Sequence, residues 1–254
     1  PMPRPLGVLL RLDGVVHASD LPVQSYARHL TELLPAHRVR PLIAGMRGFL
    51  ENKPKLIGAD VDLRGAEDGY HAVDILGRAA GLTQEQLSAA RVASRLDLAA
   101  SAWAVEPAVG LDQLLDLLAG HAFVVVLAEP ADPAAAAVLE SLDVRASIDQ
   151  LIAAPIKTAI GSLVDRVGAA QRLLVVGARW TGELAVAADA GCATALLDRY
   201  GRGTGTPTFR ADGGEPADLL DPIRRWLASP AATPTPAPAH SPAPTPIDAP
   251  GAPR

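Results

Sequence analysis

Arg11 and Asp13 stand two residues apart, directly after the aliphatic run Leu6–Leu10. In an open α/β sheet ligands bind outside the carboxyl ends of the strands, so charges placed where a buried strand ends are positioned for chemistry. Asp13 is of the type that passes protons or holds a metal, whereas Arg11 is a permanent cation suited to pairing with carboxylates or phosphates. Two further charges occupy comparable places. Lys157 opens the helical pattern Ile156–Gly168, and Glu183 follows the aliphatic run Leu173–Val176. In a parallel sheet, Arg11 would face Asp13, Lys157 and the loop after Val176. The other reactive residue types are less suggestive. His17, His29, His37, His71, His121 and His240 include no His-Glu-x-x-His or other close ligand spacing, so no metal site is expected from them. Cys192 is the only cysteine; it excludes an intramolecular disulfide and is expected to be a small buried residue. Gly201–Gly205 does not lie between the first strand and helix of a βαβ unit and reads as a flexible loop, and Ser162 lies within a helical pattern without a Gly-x-Ser-x-Gly elbow.

The elements that would position these residues follow from aliphatic patterning. The 254 residues are 49% hydrophobic but only 4% aromatic, so an aliphatic core is implied. Leu6–Leu10, Phe123–Leu127, Leu173–Val176 and Ala193–Leu197 are short apolar runs ending at loop residues, and helical patterns follow over Ala134–Leu142 and Gly182–Ala190. That alternation predicts an α/β fold with a doubly wound parallel sheet. Between the first and second strands lie about a hundred residues without a convincing strand. Tyr26–Leu34, Tyr70–Ala80 and Gln84–Ala102 carry apolar residues at three- and four-residue spacing, and Gly81-Leu82-Thr83 supplies a C-cap followed by an N-cap. A loop spans Gly65–Gly69, Pro107–Gly110 returns the chain to the sheet, and Asp218–Leu227 closes the body as an amphipathic helix. The net charge of −5 and scattered arginines argue against nucleic acid as a partner. No apolar stretch approaches the roughly 20 residues that span a bilayer, and the N-terminus lacks a long apolar signal segment; a cytoplasmic protein without a membrane partner is expected.

Gly7-Val-Leu-Leu-Arg-Leu-Asp-Gly-Val-Val16 resembles the first motif of the haloacid dehalogenase-like (HAD) hydrolases, an apolar strand followed by Asp-x-Asp-Gly. The resemblance places Arg11 at the nucleophilic, magnesium-binding aspartate and Asp13 at the general acid/base. The remaining motifs recur in order. Ala128, in Val-Leu-Ala-Glu-Pro, stands where the family has a phosphoryl-binding Ser or Thr, and Lys157 matches the family's lysine ahead of a helix. Val175 to Gly191 reproduces the fourth motif, with Ala178 at the magnesium-binding aspartate and Glu183 near its second acid. The resemblance implies a Rossmann-like core over residues 1–16 and 104–228 and an inserted helical cap over 17–103.

It also implies a protein deprived of the family's chemistry. A guanidinium protonated above pH ~12 cannot attack phosphorus, and magnesium wants hard oxygen ligands where Arg11 and Ala178 stand. Losing a nucleophile alone costs on the order of 10⁴-fold in turnover. The expectation is a catalytically impaired member without a metal or other cofactor, binding a small anionic ligand through Arg11 and Lys157 or binding a protein partner. Arg11 would either stand in for the metal's charge beside an anion or pair with Asp13 or Glu183 in a dead pocket. The alternative is an active phosphohydrolase that uses magnesium and in which Asp13 activates water.

From Ser229 to Arg254 the sequence is rich in Pro and Ala and offers almost nothing to bury. A disordered, partly polyproline II tail is expected; such a segment is either a ligand for a proline-recognising partner or a solvated extension. Deleting 229–254 is therefore expected to leave the thermal midpoint nearly unchanged, measured by calorimetry beside the full chain. A large drop would show that the tail docks on the body.

Overall fold

The computed structural model describes residues 6–52 and 61–229; most of the Pro/Ala-rich segment lies outside the described residues, as does His240. Six parallel strands form one sheet: β1 (Leu6–Arg11), β2 (Ala122–Ala128), β3 (Gln150–Ala153), β4 (Leu173–Gly177), β5 (Ala193–Leu197) and β6 (Phe209–Ala211), in the order β3-β2-β1-β4-β5-β6. The order reverses direction at β1, so a crevice opens at the carboxyl ends of β1 and β4. Register pairs Arg11 with Leu127 and Leu10 with Val176, which sets the ends of β1, β2 and β4 side by side.

The alternating side chains of β1 explain the two helical layers. Val8 and Leu10 join one core with α5 (Leu111–Leu118), α6 (Ala135–Ser141) and α9 (Leu220–Leu227). Leu9 joins the opposite core with α7 (Ile156–Val167) and α8 (Ala185–Asp189). The central strands are buried throughout, as expected for a parallel sheet covered on both faces.

Between β1 and β2 four helices pack on a third core: α1 (Leu21–Thr31), α2 (Ala36–Leu50), α3 (Gly69–Ala79) and α4 (Gln84–Ala100). Tyr26, Leu30, Phe49, Val73, Leu76 and Leu87 fill it. The turn from α3 to α4 forms as its residues dictate: Gly81 takes φ +90°, and Thr83 and Gln86 make a reciprocal capping box, 3.3 and 2.9 Å. The two connections to this unit are tied together, since Ala108 N–H donates to Val16 C=O at 3.1 Å. Leu98 and Ala102 belong to the sheet's core, so the end of α4 is anchored in both units.

Several expectations are corrected. Helix α2 carries no apolar stripe clear enough to predict, and Pro41 and Gly45 interrupt its pattern; it forms because Gly45 lets it approach α3, where a Cβ would come within 2.7 Å of Leu76. Helix α1 starts at Leu21, five residues before Tyr26, with Pro22 in its first turn where proline is tolerated. The edge strands β3 and β6 are too short and exposed to stand out as aliphatic runs. Regular helix begins at Ala185 rather than Gly182, whose φ of +79° breaks an irregular turn over Trp180–Leu184. Among the described residues no helix is long and apolar enough to cross a membrane.

Gly110 is the joint where the chain re-joins the sheet. Its φ is +81°, and a Cβ there would lie 2.7 Å from the Ala217 backbone. Gly110→Ala is expected to cost about 2 kcal/mol or more, from left-handed strain plus the forced separation of α5 and the Ala217 turn. Chemical denaturation measures it; a change under about 0.5 kcal/mol would show that the joint relaxes freely.

Candidate functional site

The end of β1 delivers a cation into the sheet. Arg11 is only 5% exposed, and a buried guanidinium needs carboxylate partners because it cannot lose its proton. Glu129, just beyond β2, lies 3.0 Å from one terminal nitrogen, and Glu183, from the turn after β4, lies 3.2 Å from Nε. The Nε contact is an ion pair without hydrogen-bond alignment. Glu183 also accepts from Arg179 at 2.9 and 3.1 Å, and Arg179 reaches Asp68 before α3 at 3.3 Å. Gly177 makes room for Glu183: a Cβ there would stand 3.1 Å from the carboxylate.

Asp13 belongs to a second group. Its Oδ1 accepts from Arg95 of α4 at 2.8 Å and lies 3.0 Å from Nε2 of His17. Arg95 is buried and continues to Asp132 with two contacts, one of 3.1 Å, and to the Tyr70 hydroxyl at 3.2 Å. Burial alone would raise the Asp13 carboxyl, but the Arg95 guanidinium and the His17 imidazole outweigh it and hold Asp13 far below the usual carboxylate range. The same carboxylates overcome the effect of burial on Arg95 and raise it above the ordinary arginine value. Arg179 is likewise raised, burial being outweighed chiefly by Glu183 and Asp68.

The two groups bind the helical unit to the sheet. Arg95–Asp13 and Arg95–Asp132 cross between them, as do Arg179–Asp68, Arg91–Glu129 at 3.5 Å and the Thr181 amide donating to Glu67 at 2.8 Å. Beside them lies a cavity of about 60 Å³, whose lining includes Asp13, His17, Glu67, Tyr70, Ala178 and Arg199, and next to it, sharing Ala18, Ser19, Asp20 and Arg199, a cleft of about 460 Å³. One oxygen of Glu67 and Nδ1 of His17 are buried without a hydrogen-bond partner.

The expected convergence is thus altered. Arg11 pairs with Glu183, one of the two partners anticipated, and not with Asp13, which is taken by Arg95. Lys157 stands at the start of α7, exposed, with no ion pair among the described residues. Ala128 is buried at the end of β2, and Ala178 lies against Gly14, where a Cβ would come within 2.6 Å of its methyl. Cys192 is buried and its thiol is pushed up to about 11 by burial. The loop at Gly201–Gly205 is held at its start by Asp198, which accepts from the Arg202 and Gly203 amides at 2.8 and 3.1 Å.

Sequence reasoning missed Arg95, Asp132, Glu129 and Arg179. Arg95 carried a signal: it lies in helical register with Leu87, Ala90 and Leu98, and an arginine on the buried face of an amphipathic helix needs a buried acid. Asp132 carried none, being a loop acid among prolines and alanines.

No protein-family model and no curated protein matches the chain. Solved structures do. A haloacid dehalogenase-like hydrolase from Streptococcus pneumoniae is similar over 87% of this chain and all of its own, with 15% identity and a TM-score of 0.57. A predicted phosphoglycolate phosphatase from Haemophilus somnus matches over 88% of this chain and all of its own, with 16% identity and a TM-score of 0.57. A putative HAD-hydrolase from Bacillus subtilis, solved with magnesium, matches over 87% of this chain and 99% of its own, with 13% identity and a TM-score of 0.56. Identities this low establish the fold, which is that of the HAD-like hydrolases.

Arg95→Met tests the network. Removing Arg95 leaves buried Asp132 without its ion pair and Asp13 with His17 alone, and is expected to cost about 3–5 kcal/mol at pH 7.5. Asp13 is depressed in the folded protein, so its contribution is present above its unfolded value near 3.9 and is lost as pH falls through the folded value. In the variant burial acts on Asp13 without Arg95 and raises it, so protonation relieves the strain. The difference between wild type and variant is expected to narrow from pH 7.5 to 4.5 in paired melting curves; a constant difference would disprove the charge origin.

Proposed function

We propose that this chain uses the HAD-like fold for binding and not for phosphoryl transfer, its catalytic centre having become a charge network that fastens cap to core. The observation that carries this reading is the placement of two guanidiniums. Arg11 fills the strand end where the resemblance puts a nucleophile, and Arg95 occupies the carboxylate of Asp13. Neither substitution leaves the family's route intact. Arg11 cannot attack phosphorus, and a carboxyl held far below the usual range carries no proton to donate to a leaving group at neutral pH.

The residues present do not fit the magnesium ion that the fold's hydrolases use. At the two places where the resemblance puts ligating carboxylates stand the Arg11 guanidinium, between Glu129 and Glu183, and the Ala178 methyl. The cavity at the charge network itself is about 60 Å³, below the roughly 300 Å³ or more typical of small-molecule sites; the larger cleft beside it, about 460 Å³, is lined by Ser19, Asp20, Glu106, Pro107, Arg199 and Glu215 and lies away from Arg11 and Asp13. A small anion at Arg11 and Lys157 is also disfavoured by geometry, because Arg11 already has two carboxylates and Lys157 shares no contact with it. Binding through the protein's surface to a macromolecular partner is the function these features support best. The Pro/Ala-rich segment beyond Ser229 is one candidate element for it.

The test combines turnover with melting. Purified full chain is expected to show no magnesium-dependent hydrolysis across a panel of phosphomonoesters; magnesium-dependent activity abolished by Asp13→Ala would reject the proposal. Magnesium at millimolar concentration is expected to leave the wild-type melt unchanged, while Arg11→Ala lowers it by taking one cation from buried Glu183, which keeps Arg179, and one from Glu129, which keeps Arg91. Arg11→Asp alone is expected to destabilise by gathering like charges. Arg11→Asp combined with Ala178→Asp is expected to regain up to ~2–3 kcal/mol on adding magnesium, through binding to the folded state alone. A wild type stabilised by magnesium, or a double variant indifferent to it, would overturn the substitution of cation for metal.

A further inference from the structure

Helix α4 has two faces of opposite character. Its inner face carries Leu87, Ala90, Ser94, Arg95 and Leu98 and is buried. Its outer face presents Ala89, Val92, Ala93, Leu96 and Ala100 at helical spacing, and the stripe runs on into Trp103 in the single turn of 3-10 helix at Ala102–Ala104. Val92 is 59% exposed, Leu96 56% and Trp103 81%, so the largest apolar groups on this face all meet solvent. No charged residue interrupts the stripe from Ala89 to Trp103, although a fifth of the chain is charged. The charges alongside it are already engaged: Asp97 pairs with Arg28 and with His29 of α1.

We infer that this face is the two-fold interface of a homodimer, with α4 packed antiparallel against α4 of a second copy and centred on Leu96. The sequence of the stripe is complementary to itself under that operation. Val92 and Ala100 lie four residues on either side of Leu96. A two-fold axis through Leu96 therefore sets each Val92 against an Ala100 of the partner copy, with Leu96 meeting its own copy, while Trp103, in the 3-10 turn past the break in helical angles at Ser101, extends the apolar surface beyond the end of α4. Large faces small in the layer on either side of Leu96, which is what close helix packing demands. A charged stripe would meet like charges under the same symmetry, and this stripe carries none. Antiparallel helices also set opposite dipole ends beside each other.

The size is adequate for a reversible dimer. On typical residue areas the exposed parts of Trp103, Leu96, Val92 and the alanines amount to roughly 500 Å² per copy, so these residues supply at most about 1,000 Å² in total, the lower bound for a specific interface. The dimer should dissociate on dilution into the micromolar range. It is independent of the pocket's chemistry, because the outer face of α4 takes no part in the Arg95 network.

Sedimentation velocity of the full chain from roughly 1 to 200 µM, the range where a small interface should dissociate, is expected to show a monomer–dimer equilibrium; a monomer throughout overturns the inference. Leu96→Glu is expected to shift the midpoint at least about tenfold towards monomer, since each substitution is met by its own copy. Its melting curve should be unchanged, the position being exposed. Mixing Leu96→Glu with Leu96→Lys is expected to restore the dimer, and a failure of that rescue counts against the symmetry. Mild oxidation of Leu96→Cys should give a disulfide-linked dimer on a non-reducing gel, whereas Arg225→Cys, exposed on α9, should not. A wild-type dimer unaffected by Leu96→Glu, or crosslinked equally at both cysteines, would place the interface elsewhere and sink the proposal.

Discussion

A buried arginine that cannot give up its proton governs the architecture at the strand ends. Arg11 emerges from a fully buried strand, and the cost of holding its charge away from water is met only by carboxylates brought from two other strand ends. Each of those acids then attracts further cations. Glu183 gathers Arg179, whose other contact is Asp68 before α3, and Glu129 lies near Arg91 of α4. One cation at the end of β1 thereby extends into a chain of contacts that reaches the helical unit.

The Asp13 group closes the same crevice from the other side. Arg95 places one guanidinium among Asp13, Asp132 and Tyr70, spanning α4, the loop after β1 and the loop after β2. Such networks contribute less net stability than their Coulomb energies suggest, since the desolvation of every member opposes them. Their effect is on geometry: only one relative placement of helices and sheet satisfies all partners. Beside Asp13 and Tyr70 the joined walls leave a cavity of about 60 Å³.

The two sides of α4 divide the protein's properties. The inward side fixes the helical unit on the sheet, and the outward side leaves aliphatic groups in water, with Trp103 exposed just beyond the end of the helix. These are separable because the roughly 100° between consecutive helical residues is enough to bury Arg95 and expose Leu96 although they are adjacent in the chain. Changes on one face should therefore leave the other largely intact.

Aliphatic runs and their spacing by themselves determined the parallel sheet, its four longer strands and the helices α3, α4 and α7, because burial on both faces leaves few other patterns for a strand and one face leaves a clear period for a helix. The order of short motifs pointed to the HAD-like fold that the solved structures share. Helix α2 and the edge strands were not, since Pro41, Gly45 and half-exposed residues give no periodic signal and owe their structure to neighbours. The partners of the charges were decided by tertiary structure alone. Nothing local separates Asp13 from Arg11, yet the sheet register sends Arg11 toward Glu129 and Glu183, and the docking of α4, eighty residues on, delivers Arg95 to Asp13. Ion pairing depends on distance through space, and spacing along the chain does not encode it until the fold has set that distance.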